Sequence, residues 1–204
     1  NGGAVDWYKG AHNCTLTDSV FTNNMANRSG GAVFWFGRNG KIQNVNFTNN
    51  TALGNVLYNN SFGNMTYGGH GGAVMWTGAD GTIDNCTFIS NKAKVNGGAV
   101  FMQGSTEGNC SNLHISNVIC EDNFAGVNGG AIDWYKGAHD CTLENATFNN
   151  NIANRSGGAV FWFGRLGSIK NAIFTNNSAL GNVMYENSFG VNTTGGHGGA
   201  IMWT

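Results

Sequence analysis

Charge is what this chain has least of. Of 204 residues, 10 are Lys or Arg and 11 are Asp or Glu, a net charge of −1 at pH 7 with histidine neutral. That balance gives no electrostatic basis for binding nucleic acid or an anionic membrane surface. Proline is absent, and no apolar run approaches the roughly 18 residues of a membrane-spanning helix, so the sequence predicts no membrane insertion by this segment. No Cys/His spacing resembles a zinc site, no Gly-x-Ser-x-Gly or phosphate loop occurs, and no cofactor is implied. A starting Met and a signal segment are also missing, as expected of an internal piece or a processed product.

Glycine and asparagine, by contrast, number 33 each. Both are poor helix formers, and both tolerate left-handed backbone and tight turns. The composition therefore points to many turns and many short strands. With 41% apolar residues, among them 13 Phe and 6 Trp, the chain can bury a core.

Self-comparison shows how it does so. A shift of 127 residues lays 1–77 on 128–204 without a gap and with 57 identities in 77 positions. The chain reads as one continuous unit, 1–204, containing a tandem duplication 1–127 / 128–204 whose second copy is truncated. A finer period lies inside it. Gly-Gly-Ala-(Val/Ile) begins at Gly2, Gly30, Gly71, Gly97, Gly129, Gly157 and Gly198. Five positions on stand Trp7, Trp35, Trp76, Met102, Trp134, Trp162 and Trp203. A second register follows in six units: an aromatic column of Phe21, Phe47, Phe88, Phe148 and Phe174, broken by Cys120, then an asparagine column of Asn24, Asn50, Asn91, Asn123, Asn151 and Asn177.

Units this short cannot bury an apolar face alone, so neighbours must stack. The period-2 run Gly-Ala-Val-Phe-Trp-Phe points to strands, and the whole to a parallel β-solenoid of about six coils plus the first strand of a seventh. Stacking sets equivalent residues above one another, so the Trp, Phe and Asn columns are expected as interior ladders. The Asn amides would be satisfied by the coils above and below.

Repeated GGA(V/I) paired with Phe-x-x-Asn resembles the repeat pair of the chlamydial polymorphic outer-membrane proteins, and is similar to adhesin-like surface proteins of methanogenic archaea. The second half-motif stands as FTNN at Phe21, Phe47 and Phe174, FISN at Phe88 and FNNN at Phe148. The resemblance implies a right-handed parallel β-helix on a cell surface, extracellular, with adhesion or a structural stalk as its role. It identifies no ligand.

Two coils carry an 18-residue insert before the next Gly-Gly, Leu53–His70 and Leu180–His197. Their apolar residues, Phe62 and Met65 among them, predict packing back onto the outward side of the Gly-Gly strands. That side bears a stripe of Tyr8, Phe34, Phe36, Met75, Phe101, Tyr135, Phe161 and Phe163. Three readings stay open for it: cover by the insert, lateral contact with another chain, or a stacking platform for sugars. Cys110 and Cys141 fall at similar offsets in adjacent coils, which predicts a disulfide and an oxidising setting; the alternative is five reduced core cysteines, with Cys86 and Cys120 buried in either case. Twelve Asn-x-Ser/Thr sequons occur, of which Asn27, Asn59, Asn154 and Asn176 lie in predicted turns or near inserts and are the candidate glycosylation sites.

Parallel β-helices include polysaccharide lyases and hydrolases, whose chemistry needs clustered carboxylates. The acids here are scattered. Asp6, Lys9 and His12 recur as Asp133, Lys136 and His139, which fits a duplicated patch or a solvated face better than one catalytic cleft. Glu121 and Asp122 are neighbours, and His70 and His197 precede Gly-Gly as turn residues. The expectation is therefore no enzyme, but an adhesin stalk or structural filament segment. Its partners would be further copies of the repeat, in cis or head to tail, and cell-surface glycans or another cell's surface. The alternative is a polysaccharide-binding or polysaccharide-degrading β-helix.

Overall fold

The computed structural model describes residues 1–59, 65–104, 110–186 and 192–204. Its strands wind into three parallel sheets, with each successive coil adding one strand to each. The first sheet takes the Gly-Gly strands Val5–Trp7, Val33–Phe36, Val74–Thr77, Val100–Gln103, Ile132–His139, Val160–Arg165 and Ile201–Trp203. The second takes the eight-residue strands Thr15–Thr22, Lys41–Thr48, Thr82–Ile89, His114–Glu121, Thr142–Asn149 and Ser168–Thr175. The third is narrow: Met25–Ala26, Thr51–Ala52, Lys92–Ala93, Phe124–Ala125, Ile152–Ala153 and Ser178–Ala179. Neighbours in every sheet are successive coils, and no helix occurs among the described residues, so the fold is the expected parallel β-solenoid.

The Gly-Gly pair makes the corner between the third and first sheets. Gly71 turns with φ 63°, a left-handed conformation that a side chain resists. Gly72 has a different reason: a Cβ there would run into the Gly98 carbonyl oxygen and come within 2.6 Å of the Lys92 amide nitrogen. Around the whole coil, amides donate to the next or previous coil, as Gly72 N–H does to Gly97 O at 3.0 Å and Thr82 N–H to Gly40 O at 3.0 Å. Proline has no N–H, so it would break this ladder almost wherever it stood. Its absence from the sequence follows.

The interior is filled in register. Val5, Val33, Val74, Val100, Ile132, Val160 and Ile201 stack as one column. Trp35, Trp76, Trp134 and Trp162 are fully buried in the next, with Trp7 and Trp203 less covered. Trp35 lies parallel to Trp76 at 4.6 Å and Trp162 to Trp203 at 4.6 Å, whereas Trp7 meets Trp35 edge-on. The Phe column stacks similarly, Phe21 on Phe47 at 5.2 Å, Phe47 on Phe88 at 5.0 Å and Phe148 on Phe174 at 4.9 Å. Cys120 fills the rung between Phe88 and Phe148.

Asparagine ties the core together at the corner between the second and third sheets. Asn91 Oδ1 accepts both the Asn50 amide N–H and the Asn50 side-chain amide, each at 3.0 Å. Asn91 Nδ2 in turn donates to Asn123 Oδ1 and to the Phe47 carbonyl, each at 3.0 Å. The same pattern carries through Asn24, Asn50, Asn123, Asn151 and Asn177. Each side chain thus stitches coil to coil without leaving a buried amide unpaired.

One interior column is defined by size. The residue before each second-sheet strand is Cys14, Gly40, Gly81, Leu113, Cys141 or Gly167, aligned by bonds such as Thr142 N–H to Leu113 O at 2.9 Å. A Cβ at Gly81 would lie 2.5 Å from Cζ2 of Trp76, and one at Gly167 would collide with the ring of Trp162. In the coils with glycine here the indole ring occupies the space that a side chain would take, whereas the coil of Trp134 is two residues longer at this point than that of Trp162 and carries buried Cys141. In the one coil where Met102 replaces tryptophan, Leu113 supplies the missing volume and is fully buried.

Both inserts form antiparallel hairpins, Leu57–Asn59 with Met65–Tyr67 and Met184–Glu186 with Asn192–Thr194. Phe62 lies outside the described residues, as does the side chain of Met65.

Candidate functional site

The exterior begins with a feature not read from the sequence. Among the described residues, eighteen non-glycine residues have positive φ, all between 49° and 59°, and they fall five residues apart, three to a coil. The first column is Asn13, Asn39, Asp80, Asn112, Asp140 and Leu166; the second Asp18, Asn44, Asn85, Asn117, Asn145 and Asn171; the third Asn23, Asn49, Ser90, Asp122, Asn150 and Asn176. Sixteen of the eighteen are Asn or Asp, the residues that best tolerate this conformation. Their side chains continue the stitching outside, as in Asn85 Nδ2 to Asn44 Oδ1 at 2.8 Å and Asn112 Nδ2 to Asp80 Oδ1 at 3.0 Å. The spacing of five was the signal available, hidden among the other asparagines.

Leu166 departs from this pattern: it has φ 57° and is 75% exposed. Leu166→Asn is expected to stabilise the chain by about 1 kcal/mol, seen as a raised urea midpoint.

Four of the sequons counted above coincide with the second and third columns: Asn49, Asn85, Asn145 and Asn176. Of the glycosylation candidates, Asn27 and Asn176 are exposed and Asn154 half-buried, while the side chain of Asn59 lies outside the described residues.

The aromatic stripe divides. Phe34, Phe36, Met75 and Phe101 form a second buried cluster outside the first sheet, with half-buried Tyr135 packed against it, and Phe161 is buried as well. His70, the last residue of the first insert, lies on Phe101 with ring centroids 4.4 Å apart. The five buried side chains of the stripe, Phe34, Phe36, Met75, Phe101 and Phe161, are packing, and a contact surface or sugar platform made of the whole stripe is not present. Tyr8 remains exposed and Phe163 partly so.

Asp133 takes the same outward column, directly beside Phe101 and Phe161 in the sheet, and is fully buried. Neither carboxylate oxygen has a hydrogen-bond partner. Burial holds its pKa well above the carboxylate range, with Arg155 opposing. His70 Nδ1 is likewise buried and unpartnered, and burial, aided by Arg28, lowers its pKa to about 4. The signs differ. For Asp133 the folded chain resists ionisation, so stability is lost as pH rises above the ordinary carboxylate range, and Asp133→Asn should be more stable than the parent at neutral pH, with the gain vanishing in acid. For His70 the folded chain resists protonation, so stability is lost as pH falls from 6.5 towards 4. His70→Phe should therefore gain about 3 kcal/mol relative to the parent between pH 7 and pH 4, read from urea midpoints at each pH.

The recurring Asp-Lys-His set does not converge. Asp133 is enclosed in the outer cluster, His139 pairs with Asp140 at 2.9 Å, and the side chain of Lys136 lies outside the described ones. In the first copy, His12 Nδ1 accepts the Arg38 amide at 3.0 Å, and Asp6 is exposed. Glu121 ends its strand and Asp122 turns away with φ 54°.

The expected Cys110–Cys141 disulfide is not formed, and all five cysteines are free thiols. Register explains it. Ser111 pairs with His139, which sets Cys110 level with Ala138, whereas Cys141 stands level with Leu113. Similar offsets from Gly-Gly concealed coils of unequal length, and the Cys141 thiol instead faces the Cys110 and His139 carbonyls at 3.7 and 3.4 Å. Burial raises the pKa of Cys86 and Cys141 to about 11 and pushes Cys110 and Cys120 up as well, so these thiols stay protonated and unreactive.

Among known proteins, the family model of the Chlamydia polymorphic membrane protein (Chlamydia_PMP) repeat matches residues 18–34, 85–103 and 145–161. Every match starts at a residue of the middle left-handed column, Asp18, Asn85 or Asn145, and runs through the Asn ladder and the Gly-Gly corner into the first sheet. The coils outside these matches are the two interrupted by an insert and the one in which Cys120 replaces phenylalanine. No curated protein and no solved structure matches the chain. In three of its coils, then, the chain is similar to that membrane-protein repeat, and it is a repeat protein of parallel β-helical architecture.

Proposed function

We propose that this chain is a stretch of an extracellular, surface-displayed β-solenoid that works as an adhesin stalk or structural filament segment, by extension rather than catalysis. The observation that carries this reading is the continuity of the ladders. One sheet runs without interruption through seven strands from Val5–Trp7 to Ile201–Trp203, and the valine, tryptophan, phenylalanine and asparagine columns follow it. Such a body resists bending and lengthens by about 4.8 Å per coil, so a 127-residue unit of four coils adds about 19 Å. The likeness to a membrane-protein repeat supports display at a surface, and the low charge together with the scattered acids supports a scaffold role.

Antibodies raised against this chain should label intact, unpermeabilised cells of the source. Labelling that appears only after permeabilisation would sink the proposal.

A further inference from the structure

Beside the base of the first hairpin, the outer side of the third sheet carries an open groove of about 390 Å³. Lys92, Lys94, Phe124, Thr51, Asn154 and Leu53 line it, and no acidic residue among the described ones does. Lys92 and Phe124 are rung neighbours, with the ammonium 5.4 Å from the ring centroid. Lys94 is held on the opposite flank: its ammonium donates to the Gly54 carbonyl at 3.3 Å and lies 6.0 Å from the exposed ring of Tyr67. Neither lysine is paired with a carboxylate among the described residues. In a chain with only 10 basic residues, two unpaired cations framed by two aromatic rings form an unusual surface.

We infer that this groove binds an acidic polysaccharide, a chain of sugars bearing carboxylates. The pyranose face would lie on the Phe124 ring, the carboxylates would meet Lys92 and Lys94, and Thr51 and Asn154 offer hydrogen bonds to hydroxyls. The volume falls within the range of small-ligand sites, enough for a short stretch of sugar chain. Other polymers fit less well. Lys92–Ala93 is hydrogen-bonded to a strand on both sides, so no open edge is available to an extended peptide. Nucleic acid needs many phosphate contacts, and two cations on a chain of net charge −1 supply few. The inference goes beyond the scaffold role and holds for a stalk or a filament alike.

The test is calorimetric titration of the full chain, made in a non-glycosylating host, with tetragalacturonate, neutral cellotetraose and a short single-stranded oligonucleotide. Tetragalacturonate should bind saturably and more weakly as salt rises. Lys92→Gln and Lys94→Gln, both at exposed positions, should each weaken it about five-fold, and Phe124→Thr about tenfold, with unchanged melting of the lysine variants as the control for folding. The inference is overturned by no saturable binding, by undiminished binding in the Lys92→Gln/Lys94→Gln double variant, or by equal binding of cellotetraose or the oligonucleotide.

Discussion

Replacing Asn91 by alanine is expected to cost about 4 kcal/mol of stability, far more than an amide of that size would at a surface. The side chain makes four hydrogen bonds, two accepted from Asn50 and two donated, to Asn123 and Phe47. Asn50, Asn91 and Asn123 are all buried, so no water replaces the lost partner. The deletion takes a partner at once from Asn50 and Phe47 in the coil before and from Asn123 in the coil after, at about 1–3 kcal/mol for each group left orphaned. Urea denaturation of Asn91→Ala beside Asn44→Ala, whose amide is stitched into the exposed left-handed column, separates the two kinds of ladder. A cost at Asn91 no greater than at Asn44 would mean that the inner ladder does not hold the coils together.

The second large effect is a rescue. Trp162→Met alone should lose about 2–3 kcal/mol to the void it leaves. Gly167→Leu alone should lose a similar amount, because its side chain would enter the ring of Trp162. Together they recreate the pairing that Met102 and Leu113 already make, and the double variant should lie within about 1 kcal/mol of the parent, a coupling of at least 2 kcal/mol. Additive losses would show that the column is not set by the volume of the indole.

Much of the fold was legible because a solenoid writes each contact many times. A tryptophan five residues after Gly-Gly in six of seven strands is enough to declare a column. What repeats with variable spacing was harder to see. The coil from Gly97 runs 16 residues to Leu113 where the coil from Gly129 runs 12 to Cys141, so counting from Gly-Gly misplaced Cys110 against Cys141 by three positions. The left-handed columns were masked by their own abundance, since Asn23 at a turn and Asn24 in the core are adjacent and chemically identical. The burial of Asp133 depends on what packs over the outward face of the first sheet, which strand alternation does not encode. The Lys92–Phe124 groove joins residues 32 positions apart that share a column only once the coils are stacked.

The most direct test of the account is negative-stain electron microscopy of the native source material, cell surface and shed fraction together. Antibody-labelled rods or threads with an axial repeat of about 19 Å, or a multiple of it, are the predicted result. Labelled compact particles without axial periodicity would contradict it.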